Sequence, residues 1–309
     1  MPSSRRAVLA SAAAGLAAVA GCTAPSDGSS GSGGDTDAPS ETVTDTPTDR
    51  PLGDTYEGDG YAVTVTDVAA RKSVLAYYAP DAFGVETAPE GERFAFVGVE
   101  ASGERLPPRE SFRFRAGDRT FEPAAVSRDV RRDFAPVMET RYEPSSPNGD
   151  GTGWVAFAVP ANLTADLGVA VDDASWSFPD SAAEPVRGPV PEFELGAVSV
   201  PSVVDADEPI PVSVEFENAG DGDGTLRGAL NHYGPLHGAS AFRLDVAAGE
   251  TTTWETAIDY HLRDEFDTDT VQFAVATTAG NVERSVTVRG GGTPSGDSTA
   301  DGTATSTTY

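Results

Sequence analysis

The 309-residue chain has one cysteine, Cys22, one lysine, Lys72, three histidines and two methionines. A single cysteine excludes an intramolecular disulfide and any multi-cysteine metal or redox centre. Basic side chains are scarce against 49 acidic ones, and the formal charge of −28 repels a phosphate backbone, so nucleic acid is excluded as a partner. No apolar run reaches the roughly 20 residues that a membrane-crossing helix needs. No long amphipathic helical pattern appears, which removes the helices that would cover a parallel sheet. No Ser/His/Asp set or paired-carboxylate arrangement stands out, so no catalytic residues and no cofactor are expected. Gly296-Asp297-Ser298 lies in a low-complexity tail and is set aside.

What is present is acid, glycine, proline and short apolar runs. The acidic, lysine-poor composition resembles that of proteins from salt-loving archaea. At molar salt the Debye length falls to about 3 Å, so repulsion among surface carboxylates is screened while their hydration keeps the chain soluble.

Residues 1–22 read as an address: Arg5-Arg6, an apolar run of small side chains from 7 to 20, then Gly21-Cys22. Ser3-Ser4-Arg5-Arg6-Ala7-Val8-Leu9 resembles a twin-arginine export signal, and Val19-Ala20-Gly21-Cys22 resembles a lipobox. The resemblance implies export in the folded state, cleavage before Cys22 and lipid on its sulfur. It further implies a protein held on the outer face of the cell membrane. Cleavage also takes away Arg5 and Arg6, and one acyl chain holds only marginally, so the anchor must be a two-chain lipid or its equivalent.

Residues 23–52 are rich in Ser, Gly, Asp, Thr and Pro and bury too little to offset ordering entropy. They are expected to be a disordered tether with a span of roughly 30 Å, and their Ser and Thr suit O-glycosylation. Residues 290–309 are a similar tail.

Between them the expected fold is all-β: two tandem Ig-like antiparallel sandwiches, residues 53–180 and 192–289, joined by a Pro/Ala-rich linker at 181–191. In the first, Val63, Val65 and Val68 alternate with a slip after Thr66. Phe94, Phe96, Val97 and Val99 follow, then Phe112 and Phe114, then runs at 154–160 and 167–171. In the second, seven short runs (193–200, 210–217, 225–230, 241–246, 251–258, 270–276 and 282–288) are separated by Gly- and Asp-rich turns.

Tyr61-Ala62-Val63-Thr64-Val65-Thr66-Asp67-Val68, the run from Pro89 through Phe94 to Val99, and Gly153-Trp154-Val155-Ala156-Phe157-Ala158-Val159-Pro160 resemble the telokin-like Ig-like domain of prokaryotic surface lipoproteins. Ala101-Ser102-Gly103 stands where that family has an asparagine. The segment from Glu208 to Gly220, ending Asn218-Ala219-Gly220, and Val246-Ala247-Ala248-Gly249-Glu250-Thr251 resemble the cell-adhesion-related (CARDB-like) Ig domain. Both resemblances imply an extracellular scaffold without catalytic residues.

Candidate sites follow from residue type. The segment 127–153 is long for a sandwich connection; Arg128, Arg131 and Arg132 could pair with carboxylates or sulfated glycans, while Phe134, Met138 and Tyr142 are expected to be exposed, the aromatics free to stack on sugars. A short capping helix at 128–134 is the plainer reading. His232, His237 and His261 are numerous enough for a metal site with one open position, but their spacing fixes no geometry. Residues 218–224 offer oxygen ligands yet lack the terminal acid of a calcium loop, so a turn using glycine at positive φ is preferred. Asn162-Leu163-Thr164 is a glycosylation acceptor in an expected turn. Tyr77-Tyr78, Trp154, Trp176 and Trp254 are expected in the cores. The function that fits is a non-enzymatic surface lipoprotein for adhesion, envelope assembly or binding of a surface protein or glycan. The alternative is a lipoprotein that captures a solute or metal for a transporter.

Overall fold

Short runs of Val, Phe, Trp and Thr favour a pleated, half-buried surface, and in the computed structural model they form nineteen strands with one α-helix among the described residues. The structure describes residues 48–127, 129–131, 135–145, 151–206, 208–233, 237–259 and 268–289, all in one compact unit. The strands of the N-terminal half are β1 (Thr48–Pro51), β2 (Thr55–Glu57), β3 (Tyr61–Arg71), β4 (Ser73–Ala79), β5 (Ala82–Thr87), β6 (Glu92–Gly103), β7 (Arg113–Ala116), β8 (Arg119–Phe121), β9 (Thr152–Pro160), β10 (Leu167–Val171) and β11 (Ala174–Ser177), followed by helix α1 (Asp180–Arg187). The C-terminal half holds β12 (Phe193–Ser199), β13 (Val203–Asp205), β14 (Ile210–Asn218), β15 (Gly224–Tyr233), β16 (Gly238–Val246), β17 (Thr251–Ile258), β18 (Thr268–Thr277) and β19 (Gly280–Arg289).

Two sheets enclose the first core, in the orders β1-β11-β10-β7-β8 and β2-β3-β6-β9. Val63, Val97, Val155 and Phe157 of one face Phe112, Phe114, Val169 and Trp176 of the other, all fully buried. Each such side chain contributes about 1.5–3 kcal/mol on leaving water. The alternation slip after Thr66 is a register shift in the β3–β6 pairing between Val65 and Val68. A second pair of sheets, β12-β14-β17 and β13-β19-β18-β15-β16, encloses the second core around Ile210, Val214, Phe216, Leu226, Phe273 and Val286. Each apolar run expected in the C-terminal half maps onto a strand, the first overrunning β12 by Val200; β13 was too short to show a period.

Three segments depart from the sequence reading. Thr48 to Leu52, expected in the tether, supplies β1, which runs parallel to β11. Asp49 accepts hydrogen bonds from the hydroxyls of Ser175 (2.7 Å) and Ser177, and Leu52 packs on the core. A strand edge with open hydrogen-bonding groups captures polar sequence that periodicity cannot flag. The expected linker 181–191 begins inside α1, whose Ala183 and Val186 are fully buried in the first core. Asp180 in its first turn and Arg187 in its last suit the helix dipole and pair at 3.1 Å.

Segment 127–153 is the third departure. Where described, it pairs with the edge of β9 and packs Val130 and Met138 over the outer face of the β2-β3-β6-β9 sheet rather than standing free. Tyr142 donates its backbone N–H to Trp154 O (2.9 Å), Trp154 donates to Thr140 O (2.9 Å), and Arg131 donates to Leu75 O (3.0 Å). Val130 and partly buried Met138 help close a satellite cluster over Phe96 and Trp154. β6 and β9 are therefore buried on both faces.

Candidate functional site

Strand β3 ends at Arg71, and the chain turns at Lys72 into hairpin β4–β5, which leaves the first pair of sheets and lies across the outer face of the second half. Period two on β15 sends Leu226 and Leu230 to the core and Arg227, Ala229 and Asn231 outward, under this arm. Leu75, Phe83 and Ala229 form a small apolar patch there. The Asn231 amide, 2% exposed, accepts from Phe83 N (2.9 Å) and donates to Phe83 O (2.9 Å), so it acts as one more strand partner for β5. Ser73 bonds Thr278 at 2.7 Å and Tyr78 bonds Tyr233 at 3.0 Å, hydroxyl to hydroxyl.

Beside the arm, between the two pairs of sheets, lies a crevice of about 520 Å³ lined by Arg71, Lys72, Arg93, Arg227 and the turns 188–191 and 221–225. Cations dominate its wall in a chain of charge −28. Two of them are committed to the scaffold. Lys72, 7% exposed, donates to Pro89 O (3.1 Å), Glu92 O (3.2 Å) and the Glu192 carboxylate (3.0 Å). Arg93 donates to the carbonyls of Pro185 and Gly188 at the C-terminal end of α1, where cations are favoured.

The other two are not so committed. The Arg227 guanidinium, in a residue 6% exposed, donates to Thr225 O (3.1 Å); burial first and then Arg71 push its pKa down, with Asp245 acting the other way. Burial, followed by Arg243, likewise lowers Arg71, whose buried Nε has no hydrogen-bond acceptor. Arg243 sits directly opposite Arg227 across the β15–β16 ladder, a like-charge pairing that costs stability. Among the described residues no carboxylate forms an ion pair with any of the three.

The acidic turn on the far wall is held by buried Asn218. Its amide oxygen accepts from Glu192 N and Gly220 N (3.2 Å each), and its amide nitrogen donates to Gly222 O (2.8 Å) and Val246 O (3.0 Å). Asp223 accepts from Ala248 N at 3.0 Å. These oxygens serve the turn. Its glycines are not at positive φ, contrary to expectation; a Cβ on Gly220 would meet Glu192 N at 2.4 Å and one on Gly222 would meet Pro189 O at 2.5 Å, so close approach demands them.

The residues singled out in the sequence do not converge. Tyr142, expected to be exposed, is fully buried and donates to Pro107 O (2.8 Å), so it cannot stack on a ligand. Burial raises its phenol pKa. Arg131 lies over the Phe83 ring at 5.0 Å. Arg128, Arg132 and Phe134 lie outside the described residues, as do Arg5, Arg6, Cys22 and His261. His232 is on β15; His237 pairs with Asp81 of the arm at 3.2 Å. No group of three or more His, Cys, Asp or Glu among the described residues could hold a metal ion. Asn162 is exposed in a left-handed turn after β9, at φ 58°.

Tyr77 and Tyr78, expected in a core, are 43% and 67% exposed, because the arm buries Leu75 and Phe83 instead. Trp154 and Trp176 are fully buried, while Trp254 is only partly so, stacked on Phe242 at 3.9 Å. The crevice arginines were missed in the sequence. A basic pair, Arg71-Lys72, at the end of a strand pattern was the available signal; for Arg227, inside the run 225–230, there was none.

No protein-family model and no curated protein matches the chain. Among solved structures, a β-glucosidase from Listeria innocua in complex with glucose aligns at TM-score 0.28 and 19% identity, over 32% of this chain and 16% of that one. The DNA glycosylase AlkC of Pseudomonas fluorescens aligns at TM-score 0.25 and 20% identity, over 32% and 30%. Alignments this partial carry no fold or function to this chain. No helix among the described residues is long and apolar enough to cross a membrane.

Proposed function

We propose that the protein is a non-enzymatic surface lipoprotein, anchored through lipid on Cys22 on the outer face of the cell membrane, whose halves are tandem Ig-like sandwiches that bind a surface protein or glycan. The observation that carries the reading is the placement of the only cysteine at the end of Val19-Ala20-Gly21-Cys22, behind Arg5-Arg6 and ahead of a polar tether. Two apolar cores, each between its own pair of sheets, support the tandem arrangement. The buried polar groups Asn218, Asn231, Lys72 and Tyr142 hold backbone, as befits a scaffold. In that reading the arm β4–β5 fixes the halves so that they present one surface.

Replacement of Cys22 by serine tests the anchor. The variant is expected in the medium or as an uncleaved precursor; full retention in the membrane of a cleaved C22S protein would overturn lipid anchoring. Capture of a metal for a transporter is the competing use. It predicts stoichiometric metal in protein purified in molar salt, abolished when His232, His237 and His261 are replaced together.

A further inference from the structure

In a chain with 49 acidic residues against 21 basic ones, three neighbouring arginines with no ion-paired acid among the described residues are an anomaly; exposed Asp245 offsets only part of the unfavourable setting of Arg227. Arg71, Arg227 and Arg243 are close enough for the repulsion to register on Arg71 and Arg227. A buried guanidinium without an anion is costly, and each added neighbour of like sign raises that cost. The adjoining residue Lys72 has its carboxylate, Glu192, so the fold can supply one at this junction. Arg71 and Arg227 instead face the crevice, the Nε of Arg71 and the Nε of Arg93 both buried there without an acceptor. Asp221 and Asp223 also line it, but both are exposed and Asp223 is turned to Ala248 N.

We propose that this crevice is an anion site in which Arg71 and Arg227 grip a tetrahedral oxyanion, sulfate or phosphate in type, free or as the terminal group of a larger molecule. Guanidinium forks match such oxygens in charge and geometry. A volume of about 520 Å³ falls in the range of small-molecule sites, roughly 300–1,000 Å³, and leaves room for more than the anion itself. The site needs neither the lipid anchor nor a protein partner, so it stands or falls separately from the function proposed above.

The test is calorimetric titration of the full folded chain with sodium sulfate at constant ionic strength, balanced with sodium chloride, beside thermal unfolding under the same conditions. Wild type is expected to bind sulfate saturably and to unfold at a higher temperature than in chloride alone. Arg71→Gln and Arg227→Gln should each weaken binding at least tenfold, and without sulfate both should unfold no earlier than wild type because a repulsion is gone. Arg105→Gln, an exposed arginine away from the crevice, should bind as wild type does. A monosaccharide sulfate separates the sources: binding as tight as sulfate and dependent on Arg71 marks a group carried on a larger molecule, whereas its exclusion marks a free anion. Absence of saturable sulfate binding by wild type, or equal binding by all three variants, overturns the site. Should either crevice variant fail to fold, Arg71→Lys and Arg227→Lys, which keep the charge but lose the fork, must bind more weakly than wild type for the proposal to survive.

Discussion

Each half of the molecule is held together by apolar side chains, but the halves are held to one another mainly by polar ones. Inside the first half, Val97, Phe114, Phe157 and Trp176 interlock between two sheets. Across the junction the apolar contribution shrinks to a small cluster of Leu75, Phe83 and Ala229 with partly buried Val85, Ala239 and Ala241, and the fit depends on Asn231 to Phe83, Lys72 to Glu192 and Ser73 to Thr278. Apolar burial is strong but non-directional. Hydrogen bonds are weak in net terms and costly to leave unmade, so they fix orientation. The junction is therefore specific rather than strong, and a charge left unbalanced there stands out as it would not on an open surface.

The largest expected effect is on a core. Phe157→Ala should cost about 3–5 kcal/mol in denaturant unfolding, because the cavity between Phe114 and the β6 valines cannot close fully. Asn231→Ala leaves the Phe83 N–H and C=O buried without partners and should cost about 2–4 kcal/mol. Hydrogen exchange at Phe83 should accelerate while the amides of β10 stay protected; equal acceleration in both would show that junction and core are not separable.

Lys72→Met should cost about 2 kcal/mol, less than the Asn231 change because the Glu192 carboxylate it abandons is half-exposed and can rehydrate. That cost should change little between low and high salt, since a buried ammonium is poorly screened. A cost that vanished in molar salt would place Lys72 with ordinary surface pairs.

The smallest effect is a titration. The hydrogen bond that the Tyr233 hydroxyl donates to Tyr78, then burial, push the Tyr233 phenol up to about 12. A phenol raised in the folded state contributes stability that is complete below its unfolded pKa near 10 and is lost as pH climbs from there to about 12. Phenolate absorbance should show one tyrosine at the junction titrating late, and Tyr78→Phe should bring it forward. An unchanged titration in that variant would remove the Tyr78–Tyr233 bond from the account.

Much of the architecture was legible because strand burial is periodic. The alternation through Val63 and Val65, its slip after Thr66 and the seven runs of the C-terminal half all map onto strands, since side chains on a strand take opposite faces whatever packs on them. Legibility failed where burial comes from elsewhere. Tyr77 and Tyr142 have the same chemistry, yet one is exposed on an arm and the other sits on a segment folded back on β9 with its ring buried in the first core. Polar Thr48-Asp49-Arg50-Pro51 carries no period and becomes a strand only because β11 offers an edge.

By itself the sequence determined the mostly β character and where most of the strands run, for these depend on local backbone preference and on the period of side chains along the chain. Only the tertiary structure decided that Lys72 meets Glu192 while its neighbour Arg71 meets Arg227, residues 156 positions apart. Counter-charges are assigned by which surfaces come together, and no local rule knows that.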